Sequence, residues 1–551
     1  MAPAATSPQQ NQKIAIVGSG CAGLGAAWAL KDTDYEVHIF EKSSRLGGHT
    51  NTQIWTSGDR EVPVDTGFIV MNTATYPNFI RFLQEVGVDP VETEMTFGVS
   101  RDHGQFEWSG EARGIFAQRR NLFRLRHWRM IFDIVRFNQF ALDLIADEEE
   151  GGLRRLGSPV KGRRHDAEMT IGAYLEKEGY SRAFRDDYLI PMTAAVWSTS
   201  PDKASLEFPA ATLRYIDAIV KSFPAGRLHL HTSCEVANVL RPWSKDDTDV
   251  TVSWLDARSG RIEGDVFAHV ILACHGDEIL PLLSRQSPQP TASLPHKFNT
   301  TTTTTTTTSD HTRSSNFIKS SSGIQYISQE ELDVLSAFQT SENTAYLHSD
   351  LTYMPTRRAC WTAWNYLITS PHPSQLSSPA GVSLTYSMNI LQHIPEEKFG
   401  PVLVTMNPEY PPDPEKTQGV FVYRHPLYTV ESVKAQKRLE GIQNSRGVSY
   451  CGAWTKYGFH EDGFSSGLRV AREHLGAELG FEFVDSTFSR GHKPVLGWRD
   501  YVLRVILLVL MVCLRVFEVV VGLPVVRRLV RVAEGVGEVV LDLGEYAGLL
   551  T

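Results

Sequence analysis

Gly18, Ser19, Gly20, Cys21, Ala22 and Gly23 form a GSGCAG turn directly after the apolar run Lys13–Val17. Main-chain amides in such a turn can hold a diphosphate. Gly18 permits the bend, Gly20 lets the backbone approach the anion, and Gly23 lets the following helix pack on the strand. The helix that starts there, with apolar spacing over 24–30, turns its N-terminus toward the phosphates. Glu41 closes a second apolar run, Val37–Phe40. An acid at that point can accept from both ribose hydroxyls, and its charge disfavours a 2′-phosphate. Strand, turn, helix, strand and acid together predict a dinucleotide site.

The segment after Glu41 separates flavin from nicotinamide. Glu41, Lys42, Arg45, Gly47, Gly48 and His49 make an ExxxRxGG pattern ending in histidine. This segment resembles the one in the flavoprotein amine oxidase and carotenoid desaturase superfamily, although relatives usually place arginine where His49 stands. The resemblance implies that Arg45 brings charge, and Gly47 and Gly48 bring amides, to an FAD diphosphate. A distant part of the chain agrees: the strand 448–451, Gly452, and Asp462, Gly463, Phe464 and Gly467 ahead of a helix over 468–479. In that superfamily such a helix points at the flavin pyrimidine, where its dipole favours the reduced ring. Gly67 and Phe68, within DTGF, resemble the stretch that passes the redox ring. Val236 stands where relatives contact adenine, and VFAHVILA (266–273) reads as the strand returning to the nucleotide domain. The narrower resemblance is to FAD-binding oxidoreductases associated with cyclopropane-fatty-acid synthases, carried by DTGFIVMN (65–72), LHSDLTYMP (347–355), WTAWNY (361–366) and YGFHEDG (457–463).

The implied fold is α/β: a discontinuous Rossmann-like FAD domain over 13–75, 225–285 and 440–480, beside an α+β substrate domain over 76–224 and 330–439. Residues 1–12 read as a disordered lead-in. The threonine run Thr300–Thr308 marks 286–329 as a disordered insertion, since its composition buries too little apolar surface to offset chain entropy. With 551 residues, 42% apolar and 21% charged, the chain suits two or three globular domains, and a net charge of −9 disfavours a nucleic-acid partner. Six dispersed cysteines without a CxxC, and an N-terminus without a secretory pattern, favour an intracellular setting.

Substrate-side chemistry is less legible. His460, Trp454 and Tyr457 are the candidates near the ring, with Trp454 and His460 departing from the acid and tyrosine that amine oxidases carry. Glu461 or Asp462 can instead cap the following helix. No second nucleotide fingerprint and no metal-ligand motif of the HExxH type is found. The expected reaction is therefore hydride removal from an apolar, lipid-like small molecule to FAD, with reoxidation by oxygen or another acceptor. Amine oxidation and a flavin-bearing accessory subunit are the alternatives.

Two segments bear on partners. Over 118–145, Leu122, Leu125, Trp128, Ile131, Phe132 and Val135 recur at helical spacing among arginines, which predicts a helix packed by its apolar face on the core or, alternatively, touching anionic lipid. The tail 500–535 carries an apolar helix with Arg504, Arg515 and Glu518 along one stripe, then Pro524, Arg527, Arg528 and Arg531. It can lie on a membrane through 501–531, span it as a transmembrane helix with paired charges, or pack as a buried or dimer-forming helix.

Overall fold

A computed structural model of the chain describes residues 12–149, 171–192, 206–208, 212–242, 249–284, 327–370, 381–485, 496–522 and 532. Of the sequence expectations, the lead-in before Gln12, residues 286–326 of the threonine-rich insertion, and Pro524, Arg527, Arg528 and Arg531 lie outside them.

Strands β1 (Lys13–Val17), β2 (Glu36–Glu41), β3 (Leu228–Thr232), β4 (His269–Leu272) and β5 (Val448–Tyr450) form one parallel sheet in the order β5-β4-β1-β2-β3. Parallel strands are covered on both faces, and β1 shows it. Ile14 and Ile16 join one buried cluster, while Ala15 and Val17 join another on the opposite side. The first cluster belongs to helices. The second lies under a three-stranded antiparallel sheet of Cys234–Leu240, Val250–Asp256 and Arg261–Phe267. The run VFAHVILA is therefore two strands and not one. It breaks at Ala268, whose N–H bonds the Lys13 carbonyl as the chain passes from one sheet to the other.

Five helices position or flank the site: α1 (Cys21–Leu30), α2 (Pro77–Glu85), α3 (Leu125–Glu149), α4 (His460–Leu475) and α5 (Trp498–Gly522). α4 begins well before the expected 468 and ends at Leu475, where Gly476 takes the left-handed conformation (φ 69°) that stops a helix. α1 and α4 approach so closely that a Cβ on Gly467 would lie 2.0 Å from the Ala22 carbonyl oxygen. A seven-stranded sheet completes the mixed α/β fold. Its order is Thr417–Leu427, Gln339–His348, Leu403–Met406, Gly381–Ser387, Trp364–Thr369, Phe97–Arg101 and Phe106–Ser109.

α3 and α5 correct the reading of the amphipathic segments. Leu122, Leu125, Trp128 and Val135 are exposed, whereas His127, Met130, Asp133 and Arg136 are buried. The charged residues can turn inward because each finds partners there. The Asp133 carboxylate accepts from Arg129 Nε at 3.0 Å and from the Ser181 N–H at 2.9 Å. Arg136 donates to the Glu178 carbonyl and lies over the Tyr180 ring. α5 repeats the inversion: Arg504 donates to the Gln139 carbonyl and lies over Phe140, while Val505, Val509, Val516 and Val519 face outward. Among the described residues, no helix is long and apolar enough to cross a membrane. The transmembrane reading of the tail is thereby overturned. The physical reason is that charges interrupt the apolar run, and one of them, Arg504, packs against protein.

Candidate active site

A cleft of about 780 Å³ runs from the glycine turn to the seven-stranded sheet. That is within the usual size of a cofactor or ligand site. It is lined at one end by Gly18, Gly20, Cys21, Ala22, Glu41 and Val236. The other end is lined by Phe68, Ile69, Trp364, Tyr386, Val422 and Tyr423.

The turn end is built from backbone. Gly18 has φ +102°, and a side chain there would press on the Ala273 carbonyl, 2.9 Å from its Cβ. A Cβ on Gly23 would lie 2.0 Å from the Gly18 carbonyl oxygen, so only glycine lets α1 sit this close to its turn. Gly20 is different: a Cβ there meets no protein atom within 4 Å and points into open space. No side chain caps α1, and its first turn holds no acid. Gly48 closes over the turn, with its Cβ position 3.0 Å from Gly20 Cα. Ser19 is buried and ties the floor together by donating from its hydroxyl to Glu41 at 2.7 Å, while Glu41 also accepts from the Ser43 N–H at 2.8 Å. Open space at Gly20, unclaimed helix amides and a buried acid together fit a dinucleotide diphosphate and ribose.

Arg45 is exposed. Its guanidinium donates to the Gly48 carbonyl at 2.7 Å and the Thr50 carbonyl at 3.0 Å, so it shapes the loop of Gly47 and Gly48 as well as bringing charge to it. Lys42 lines the cleft, but its ammonium pairs with Glu278 at 3.0 Å. Glu278 also takes Arg424 at 3.0 Å, and Arg424 pairs with Asp277, which accepts from Thr340 Oγ1 at 2.9 Å. Burial pushes the Glu278 carboxyl up, yet Lys42 and Arg424 outweigh it and hold the group below its ordinary value. Because Arg424 and Thr340 belong to the large sheet, this network fastens that sheet to the nucleotide end.

α4 opens at the cleft with Phe459 and His460. Asp462 does not face the cleft. Its carboxylate reaches back to accept from the Phe459 and Tyr457 N–H groups at 3.0 and 3.1 Å, capping its own helix. Glu461 caps a neighbour instead, accepting from the Asn78 and Phe79 N–H groups at the start of α2 and from Ser465. Burial pushes its carboxyl up to about 7 against these donors. A Cβ on Gly463 would stand 2.5 Å from Cys21 Sγ, so α4 lies close to the glycine turn here. Phe464 is fully buried in the helix core and does not line the cleft.

The three catalytic candidates fall in different places. His460 lies against Phe68 (ring centroids 3.9 Å, nearly parallel), and burial lowers its pKa to about 3, so at neutral pH it is an uncharged aromatic wall. Trp454 also lines the cleft, locked by its indole N–H on the Cys274 carbonyl at 3.1 Å and by the Phe338 ring. Tyr457 is exposed and outside the lining. His49 faces Tyr423, His425 and His275; burial first, then the neighbouring imidazoles, lower its pKa well below the ordinary value. Burial pushes the Cys21 thiol up to about 12, which keeps it protonated beside the turn. Gly67, in the bend after Asp65, brings the chain against the His49 carbonyl, 2.2 Å from a Cβ.

The sequence reading missed Tyr386, Tyr423, His425 and Arg424. Tyr386 lies on Gly381–Ser387 and the other three are consecutive on Thr417–Leu427, and no motif marks them as facing the cleft. Trp364 sat within a noted segment, WTAWNY, but nothing in that segment marked it as facing the cofactor cleft.

Comparison with known proteins agrees with this geometry. Residues 16–86 match the NAD(P)-binding Rossmann-like domain family. A flavin-containing monooxygenase of Arabidopsis thaliana, FMO GS-OX-like 5, is 30% identical over 169 residues, which are 30% of this chain and 35% of that protein. A flavin-dependent L-tryptophan oxidase of Lentzea aerocolonigenes is 32% identical over 80 residues, 14% of this chain and 17% of that one. The chain thus spans about a third or less of these curated relatives. Solved structures match over much more: a CLA-producing fatty acid isomerase from P. acnes has a TM-score of 0.50 at 13% identity, covering 85% of this chain and 99% of the other. A putrescine oxidase double mutant has a TM-score of 0.51 at 11% identity with the same coverage. The chain shares the fold of these solved structures. FAD is the cofactor that its glycine turn and cleft fit.

Proposed function

We propose that this protein is an FAD-dependent oxidoreductase acting on an apolar, lipid-like substrate at a membrane surface inside the cell. The observation that carries the substrate class is the wall of Phe68, Ile69, Trp364, Tyr386, Val422 and Tyr423 at the far end of the cleft. Bound FAD supplies a hydride acceptor at N5. The chain's own residues exclude water with this wall, keep His460 uncharged, place Trp454 beside it, and clamp the two halves of the cleft through Arg424. Of the four carboxylates lining the cleft, Glu41, Asp277 and Glu278 are each engaged by protein donors, which leaves them poorly suited to receive a cationic amine, and Glu235 stands at the nucleotide end beside Val236. Amine oxidation is the second reading, supported by the likeness to putrescine oxidase and tryptophan oxidase. The fatty acid isomerase likeness supports the first.

Membrane contact is proposed through α3 and α5. Both turn apolar residues outward, with Trp128 48% and Val519 73% exposed, and Arg126 and Arg101 share the single Asp187 carboxylate, which leaves one positive charge in excess for anionic headgroups. Substrate drawn from a lipid surface would then meet an apolar cleft.

The test is anaerobic. The purified yellow protein is mixed with unsaturated fatty acids, with phospholipid, with di- and monoamines, and with NADPH, and flavin absorbance is followed. Bleaching by the lipids alone supports the proposal, bleaching by amines replaces it with the second reading, and bleaching by NADPH alone overturns both. No bleaching with any of them favours an accessory role.

A further inference from the structure

Away from the cleft, β2 and β3 bring three ligating side chains together. His38 and His229 are register partners on these neighbouring strands, and Glu36 precedes His38 by two, so it shares its face. One Glu36 oxygen lies 3.0 Å from His38 Nε2 and 3.0 Å from His229 Nε2. The two imidazoles stack at 4.5 Å. All three ligand atoms lie within 4.8 Å of one another. Bonds of about 2.0–2.1 Å at a tetrahedral angle separate ligand atoms by roughly 3.3 Å, and the two 3.0 Å spacings from Glu36 lie close to that value.

The second observation concerns the other nitrogen of His38. Its Nδ1 lies 3.0 Å from His231 Nε2, the next inward position on β3. In the tautomer that carries its proton on Nδ1, that nitrogen donates to His231 and the Nε2 lone pair is directed toward Glu36 and His229. Metal-bound histidines are oriented by this kind of outer hydrogen bond. The nearby Lys13 ammonium is already paired with Asp265 at 2.7 Å, which offsets its repulsion of a cation. None of the three ligands lines the cleft.

We propose that Glu36, His38 and His229 bind a divalent cation of zinc type, with water completing the coordination. Two imidazoles and a carboxylate suit such an ion better than magnesium or calcium, which take oxygen ligands. Its role would be structural. β3 is the edge strand of the parallel sheet, and the ion would fasten it to β2.

The full-length holoprotein, treated with chelator and exchanged into metal-free buffer, is given Zn²⁺, gel-filtered, and measured for zinc, flavin content and thermal midpoint. The expected result is about one retained zinc per chain with a raised midpoint, as a folded-state ligand requires. Glu36→Gln and His229→Ala should each lower zinc affinity roughly tenfold or more while flavin content stays unchanged. The exposed His103→Ala serves as a control and should retain zinc. Wild-type protein that keeps no zinc, or Glu36→Gln and His229→Ala proteins that keep as much as wild type, would overturn the proposal.

Discussion

The two ends of the cleft are made of different materials. At the turn, glycines hold backbone against backbone: Gly18 against Ala273, Gly23 against Gly18, Gly48 over Gly20. At the far end, side chains from three strands and a loop form the wall, and the backbone is ordinary sheet. A site built from main chain tolerates almost no change in residue type, whereas one built from side chains can be retuned without disturbing the fold. That difference explains why the cofactor was readable and the substrate was not.

Breaking the turn should have the largest effect, and its glycines should not behave alike. Gly23→Val places a side chain inside van der Waals contact with the Gly18 carbonyl and should cost about 3 kcal/mol or more, giving insoluble or unfolded protein. The Cβ of Gly20→Val meets no protein atom within 4 Å, so this variant should fold with a near-native thermal midpoint yet bind FAD about a hundredfold more weakly, roughly 2.7 kcal/mol. Flavin titration of the refolded apoprotein separates the two. If Gly20→Val takes up FAD normally, the open space at the turn is not the diphosphate site.

The next effect is a pH dependence. Glu461 titrates near 7 in the folded protein and near its ordinary 4.5 when unfolded. The native state therefore holds a proton that the unfolded chain releases between those values. Its contribution to stability is complete below about 4.5 and is lost as pH rises toward 7, on the order of 3 kcal/mol in all. Urea midpoints measured at pH 5 and pH 8 should differ in this direction. Glu461→Gln should flatten the difference, and an unchanged slope would remove this carboxyl as its cause.

At the substrate end, Trp364→Ala should leave bound FAD intact and raise KM for the reducing substrate about tenfold, near 1.4 kcal/mol. Loss of flavin instead would erase the distinction between the two ends. The smallest effect on stability is expected on α3. Trp128→Ser lies on the surface and should change stability by less than about 0.5 kcal/mol, yet reduce flotation with anionic vesicles. Equal flotation with zwitterionic vesicles would show that the arginines contribute nothing.

Local pattern and tertiary placement parted company most clearly at the helices. α1 follows its turn because glycine spacing and a continuous apolar strand state their own geometry. α3 and α5 have apolar periodicity just as clear, and it does say that each has two unlike faces. Which face turns inward depended on partners far along the chain, among them Ser181, Tyr180 and Gln139, which satisfy buried charges that would otherwise stay in water. The caps show the same division. Asp462 and Glu461 were readable as capping residues, but that Glu461 caps α2 and not its own helix needed the fold.

By itself the sequence determined the nucleotide fingerprint, the flavin loop and the α/β class, because these rest on contacts between residues close in the chain. The tertiary structure alone decided the aromatic wall, the clamp through Arg424 and the outward turn of two apolar faces. Each of these joins residues tens to hundreds of positions apart, and no local preference records which of them will meet.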